Sequence, residues 1–334
     1  VAAGESAVSR VAARTAAIKS PAVPVFAGVD KWFKPEIKTG LAQLRAAILG
    51  EEELVDRQFL WVCLAETVRL VSNSRISTFK LHTYTAEEIA RRESDAIKVF
   101  KSVGSQNVAH LKQHWARLEL LPESRRTPRV LLLPGSVSDP WVAPRQADVL
   151  MTSPPYGDNK TTVPYGQHSY LPLQWIAHAD IPGAFDETLM ESTHRIDLLS
   201  LGGSLKEADA ARDALCDKSA TLSEWLPRID EKPALRKKVL SFVRDYQRAL
   251  NALSPRLKDG AFCFFTLGER RVGKQTFPLV DITRELLVAD NHEEVMTIER
   301  VLPGSRKRMA AKNSQGATMA QEWVLVTRSW RAGE

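Results

Sequence analysis

Residues 147–157 read Ala-Asp-Val-Leu-Met-Thr-Ser-Pro-Pro-Tyr-Gly. A short apolar run, Asp148 to Met151, is bounded by turn residues, as expected of a buried strand in a parallel sheet. It leads directly into Ser153-Pro154-Pro155-Tyr156. Two consecutive prolines fix φ and present their carbonyls rigidly. The Ser153 hydroxyl and the Pro154 carbonyl can each accept a hydrogen bond, and the Tyr156 ring offers a flat stacking face. That combination suits an amino group conjugated to a flat ring. Such a nitrogen is a poor nucleophile because its lone pair is delocalised, so a site must hold both its hydrogens and the plane of the ring. The bland alternative is a proline-stiffened loop with a packed tyrosine.

A Pro-Pro pair alone means little, because at roughly 5% proline it arises by chance about once per 400 positions. The flanking serine, the aromatic and the preceding strand carry the signal. Thr152 to Tyr156, followed by Gly157-Asp158-Asn159 and Tyr165, resembles the catalytic motif of S-adenosylmethionine-dependent amino DNA methyltransferases. The Thr-Ser-Pro-Pro-Tyr form is most typical of the cytosine-N4 branch, whereas adenine-N6 enzymes more often show Asp or Asn at the Ser position. The likeness extends further. Trp32-Phe33, Leu41 to Ile48 and Val71-Ser72-Asn73 resemble the stretch between that family's cofactor and catalytic motifs. Leu253 to Gly268, Arg270-Arg271-Val272-Gly273 and Glu322-Trp323-Val324-Leu325-Val326 resemble its last strands.

The resemblance implies a doubly wound α/β sheet of the methyltransferase type with a helical insertion, S-adenosyl-L-methionine as cofactor and double-stranded DNA as substrate. It implies methyl transfer to an exocyclic amino group of a flipped base, cytosine N4 foremost, in a restriction-modification or phage-defence system. Ser153, Pro154, Pro155 and Tyr156 would do the catalytic work. For the cofactor the candidates are Thr152, Ser136, which stands where the family carries an acidic residue, and Asp139, displaced from that position. The family's Phe-x-Gly-x-Gly turn, which cradles the methionine moiety, is missing. Phe26-Ala27-Gly28-Val29-Asp30 lacks the second glycine, so a partner chain or an upstream segment is expected to supply the motif. A non-catalytic DNA-recognition subunit and an adenine-N6 or RNA amino methyltransferase remain as alternatives.

The 334 residues, 44% apolar, can bury a sizeable core. Neither a run of 18 apolar residues nor a basic-then-apolar leader occurs, so the expected location is the cytoplasm with no membrane span. Cys63, Cys216 and Cys263 are scattered and odd in number, which argues against a disulfide framework or structural zinc, and no metal is expected. A formal charge of +6 suits a polyanion but is weak evidence alone. Tyr165 and the basic clusters Arg270-Arg271 and Arg306-Lys307-Arg308 are the candidate DNA contacts, against the alternative of a solvated surface.

Three regions are expected. Residues 1–24 are Ala-rich and lack large apolar anchors, so residues 1–29 read as a flexible or partner-dependent lead-in. Residues 30–125 read as a helical insertion for target recognition or packing, with helical spacing at Leu60, Trp61, Leu64, Val68 and Val71. Residues 126–334 read as the catalytic core, with strands at Val130 to Leu133, Asp148 to Met151, Ala261 to Leu267, Val295 to Val301 and Trp323 to Thr327, helices at Leu235 to Leu253 and Phe277 to Val288, and a mobile loop at Arg306 to Ala320.

Overall fold

The computed structural model describes residues 2–76, 80–123, 126, 130–133, 135–139, 146–157, 165–301 and 321–330. The chain divides into two compact units, Val1–Pro134 with Pro164–Asp197, and Gly135–Val163 with Leu198–Glu334.

The first unit is helical: α1 (Ala2–Arg14), α2 (Val29–Trp32), α3 (Pro35–Leu49), α4 (Leu54–Val71), α5 (Ala86–Arg91), α6 (Ala96–Glu119) and α7 (Tyr165–Leu173), with α8 (Thr193–Leu201) running across the division. Local chemistry sets several starts. Pro35 sits in the first turn of α3, where its missing N–H costs nothing. Thr85 and Glu88 close a capping box on α5, and the Asp95 carboxylate accepts from the amides of Ile97 and Lys98 to begin α6. The core gathers Leu41, Leu44, Ile48, Leu60, Leu64, Phe100 and Trp175. The Ala-rich stretch joins this core through its small residues, with Ala7, Val8 and Val11 buried. A Cβ at Gly104 would lie 2.7 Å from the Val8 methyls, so α1 and α6 approach closely only because position 104 has no side chain.

The second unit is a mixed α/β structure. It comprises β1 (Ala147–Thr152), α9 (Arg212–Cys216), α10 (Ala220–Trp225), α11 (Pro233–Leu253), β2 (Leu257–Leu267), β3 (Arg271–Val272), β4 (Gln275–Thr276), α12 (Leu279–Val288), β5 (His292–Val301) and β6 (Gln321–Ser329). The main sheet has the order β1-β2-β6-β5, with β1 parallel to β2 and the other two pairs antiparallel. One sheet face, including Leu150, Cys263, Phe265, Leu267 and Leu325, packs in a single cluster with Leu240, Val243 and Tyr246 of α11 and Ile282 and Leu286 of α12.

Val130 to Leu133 is not a strand, contrary to its apolar pattern. Among the described residues it has no ladder partner, and its four side chains are exposed. An extended run without a neighbour leaves its backbone to water, so the pattern alone cannot make it a strand. The loop expected at Arg306 to Ala320 lies outside the described residues. No described helix is long and apolar enough to cross a membrane, and no described group of three or more His, Cys, Asp or Glu could hold a metal ion.

In the first unit one carboxylate ties a long connection to α4. Asp180 accepts from Arg57 Nε and Nη2 at 2.9 and 3.0 Å and from Trp61 Nε1 at 2.7 Å. The Arg57 guanidinium holds the Asp180 carboxyl below its ordinary value of 3.8, against the effect of burial. Asp180→Ala leaves the partly buried donors unpaired and is expected to cost about 2–4 kcal/mol in urea unfolding near neutral pH. Because the folded-state pKa is depressed, this stabilisation is complete above pH 3.8 and vanishes as pH falls through the folded value. Wild type and variant should therefore converge in acid. A difference under about 0.5 kcal/mol at neutral pH would show that the cluster does not anchor the connection.

Candidate active site at the carboxyl end of β1

The ladder from Val149↔Phe262 to Thr152↔Phe265 holds β1 beside β2 up to the residue before Ser153. Prolines at 154 and 155 have no N–H to continue it, so the chain leaves the sheet there. It then turns at Gly157, whose φ is +84° and where a Cβ would lie 2.7 Å from the Phe277 ring. Phe277 cannot yield easily. It is fully buried and packed edge-on against Trp225 and Phe242. Glycine is thus required twice at 157, for its backbone angle and for the space. The turn drives the Tyr156 ring into the core cluster of the second unit, where only 9% of the residue stays exposed.

The hydroxyls at this turn form a directed chain. Tyr156 Oη donates to Glu322 Oε1 at 3.5 Å and lies 3.3 Å from Ser153 Oγ. Burial, opposed by the Ser153 hydrogen bond and assisted by the Glu322 charge, raises the Tyr156 pKa, so the phenol stays protonated at neutral pH. When the Tyr156 proton is given to Glu322, the Tyr156 oxygen accepts from Ser153, and the Ser153 hydroxyl keeps both lone pairs for an incoming donor. Arg300 Nη1 stands 3.6 Å from the other Glu322 oxygen, supplied by the residue directly opposite on β5.

A second carboxylate lies at the same end of the parallel pair. Glu269 follows β2 by two residues, and burial, with a smaller contribution from the Asp281 charge, raises its pKa. Beyond it comes the β3–β4 hairpin. Its two-residue turn has positive φ at Gly273 (59°) and Lys274 (74°), the geometry that suits the twist of a hairpin. Arg271 and Lys274 are exposed on it, while the Arg270 carbonyl accepts from the Phe277 amide at 2.8 Å.

Other sequence candidates are not gathered here. The Asp139 carboxylate accepts from the Ser136 amide at 2.8 Å, and the Ser136 carbonyl accepts from the Asp139 amide at 3.0 Å, so both residues close their own exposed turn. Thr152 is half-buried at the end of β1. Tyr165 is exposed at the start of α7, in the other unit. Arg306, Lys307, Arg308, Asp158 and Asn159 lie outside the described residues. Gly28 opens the one-turn helix α2, and residues 19–26 before it form no strand. Conversely, Glu322, Arg300 and Glu269 do not stand out as site residues in the sequence. Their signal is weak: Glu322 and Arg300 are single charges near the ends of β6 and β5, Glu269 lies just beyond β2, and no spacing or motif marks them.

The chain aligns over 328 residues, at 28% identity, with the Type II methyltransferase M.MvaI of Kocuria varians, covering 92% of this chain and 68% of that protein. It is similar over most of its length to a Type II methyltransferase. No family profile matches the chain, and no solved structure matches it.

Gly157→Ala should cost about 2–4 kcal/mol, combining an unfavourable positive φ with overpacking against Phe277. It should also displace Tyr156, read as a loss of near-ultraviolet dichroism. Unchanged stability would mean that the turn accommodates a side chain and does not fix the hydroxyl chain.

Proposed function

We propose that this chain is a site-specific DNA methyltransferase, transferring a methyl group from S-adenosylmethionine to the exocyclic amino group of a flipped base, cytosine N4 foremost, within a restriction-modification system. The observation that carries the reading is the directed hydroxyl chain Ser153–Tyr156–Glu322, set on a Thr-Ser-Pro-Pro-Tyr turn at the end of a parallel strand. Similarity to a Type II methyltransferase along most of the chain supports it. The mixed sheet with helices packed on it supports an α/β core of methyltransferase type within 126–334, its doubly wound form requiring cover on the second face as well, and the helical region 30–125 is read as serving target recognition or packing. Three free cysteines suit a reducing cytoplasm.

Ser153 Oγ and the Pro154 carbonyl accept the two amino hydrogens, which orients the nitrogen and draws electron density onto it. A base inside a duplex cannot reach this turn, so it is extruded. Once the nitrogen has been alkylated it must lose a proton. Ser153 can take it while passing its own to Tyr156, and Tyr156 in turn to Glu322, whose carboxylate is thereby neutralised until the proton leaves to solvent. Tyr156 contributes chiefly through its hydroxyl and the edge of its ring, because the rest of the residue is in the core.

S-adenosylmethionine supplies an electrophilic methyl group. The described residues do not by themselves fit it. The Asp139 carboxylate is taken up in its own turn, and the glycine turn after β1 is filled by the buried Phe277 ring, so neither offers the methionine moiety a cradle. No step is therefore assigned to groups of this chain acting on the cofactor. The partner chain or segment expected from the sequence belongs to the same reading.

Ser153→Ala removes an orienting acceptor from an exposed position. It should lower methylation by about 10²–10³-fold with stability and DNA affinity kept. Sequencing with modification detection, on DNA from cells carrying the intact locus, reads both the level and the base modified. Undiminished modification in the variant would sink the assignment. N6-methyladenine in place of N4-methylcytosine would correct the target.

Arg271 and Lys274, exposed on the β3–β4 hairpin, are read as phosphate contacts. Reversing both charges should flatten the plot of log affinity against log salt by about 0.9 for each phosphate that is no longer neutralised. An unchanged slope would make the hairpin a solvated surface.

A further inference from the structure

The residues of helix α6 sort by side. Phe100, Val103, Gly104 and Val108 are buried in the first unit, where the close approach of Val8 to Gly104 holds the helix against α1. On the opposite side, positions three and four apart carry Lys98, Lys101, Ser102, Ser105, Gln106 and Ala109, and one turn further Lys112, Gln113 and Ala116. All of these are exposed. No acidic residue lies between Ala96 and Leu118, and the Asp95 carboxylate before them is turned onto the amides of Ile97 and Lys98. Lys112 donates to Glu5 at 2.8 Å, whereas Lys98 and Lys101 have no carboxylate partner among the described residues.

That composition excludes two kinds of partner. A lipid surface requires a large apolar face, and a protein interface requires an aromatic or aliphatic anchor near its centre. Phe100, Val103, Val108, Leu111 and Trp115 all fall elsewhere on the helix, so this side has neither. It offers small side chains that permit close approach, lysines without counter-charge at its amino-terminal end, and two primary amides. Those features complement a polyanion with hydrogen-bonding edges. A helix with its side chains is about 10–12 Å across, and the major groove of B-form DNA is about 12 Å wide. The deep, narrow major groove of A-form RNA admits no such helix. Gln106 and Gln113 stand two turns apart, about 10 Å along the axis, which is roughly three base steps. A glutamine amide can donate to and accept from an adenine edge at once.

We infer that α6 enters the major groove of duplex DNA, with Gln106 and Gln113 reading base edges and Lys98 and Lys101 on the phosphates at its rim. That this duplex is also the methylation substrate rests on the methyltransferase reading; the groove contact rests on the helix face. These residues form no motif in the sequence, and only helical spacing gathers them on one side.

The test is selection by the full chain from a random-sequence duplex library, followed by anisotropy titrations of a recovered duplex over a salt series. The chain is expected to return a defined sequence and to prefer duplex DNA over duplex RNA of the same sequence by about tenfold or more. Lys98→Glu combined with Lys101→Glu should weaken binding to every sequence about tenfold and flatten the salt plot by about 0.9 for each lysine. Gln106→Ala and Gln113→Ala should each relax the recovered sequence at one A·T position, by roughly tenfold, with the slope kept. Equal affinity for the RNA duplex, an unchanged slope in the lysine variant, an unaltered recovered sequence in both glutamine variants, or no binding by the wild-type chain would each overturn the inference. Base modification is scored separately, in cells carrying the intact locus. A recovered sequence that relaxes in the glutamine variants, with no modified base in the cells, would leave α6 standing and remove the methyltransferase reading. Modification at an unaltered sequence in both glutamine variants would do the reverse.

Discussion

The parallel register between β1 and β2 governs the geometry of the second unit. Pairing Leu150 with Cys263 and Thr152 with Phe265 sets the core-facing side of both strands and brings their carboxyl ends level. β6 runs the other way, so its amino end arrives at the same place and delivers Glu322 to Tyr156, while β5 delivers Arg300. A one-residue slip of β1 would turn Val149 and Met151 into the core and Leu150 outward, and would carry the Ser153 turn away from Glu322. The site is thus a consequence of sheet register, with the Gly157–Phe277 contact fixing the last turn of chain.

Much of this was legible in the sequence because the relevant signals are local. The apolar runs at 148–151, 261–267 and 323–327 lie within β1, β2 and β6, and the spacing of Leu240, Val243, Tyr246 and Leu250 gave the buried face of α11. Val130 to Leu133 shows where such signals fail, since an apolar run is a strand only if another strand lies beside it. Residues 205–230 failed in the opposite sense. Polar and charged side chains dominate them, yet Leu222, Trp225, Leu226 and Ile229 are buried, because helices of one or two turns are too short to display a period. Of the site, Ser153 to Tyr156 was legible as a motif. Glu322 was not, because it meets Tyr156 across 166 positions of sequence, and Glu269 was not, because its raised pKa comes from burial that packing supplies.

The first unit shows the same limit from another side. Its amino-terminal stretch offers only alanines and valines, which carry little weight in a pattern search. Packing there depends on what the neighbouring helix lacks: Gly104 has no side chain, so Val8 can reach the backbone of α6. Polar anchoring adds to it, with Arg10 and Arg14 both donating to Glu51, itself buried. A carboxylate receiving two guanidinium groups is satisfied without water, which permits its burial. None of these pairings is near in sequence.

The chemical character of the Ser153 turn depends on where protons sit, and the fold settles this through burial. A phenol that ionised near neutral pH would have no proton to give Glu322 and would set a second negative charge against that carboxylate. Burial raises the Tyr156 pKa, which keeps the phenol a donor, and the Glu322 carboxylate gives that donor a single direction. Ser153 is then left with acceptor capacity facing outward, at an exposed position, beside a Pro154 carbonyl whose orientation the following proline holds. On the proposed reading, these two acceptors select an amino group over a carbonyl. That selectivity is built before any substrate arrives, so binding need not reorganise the turn.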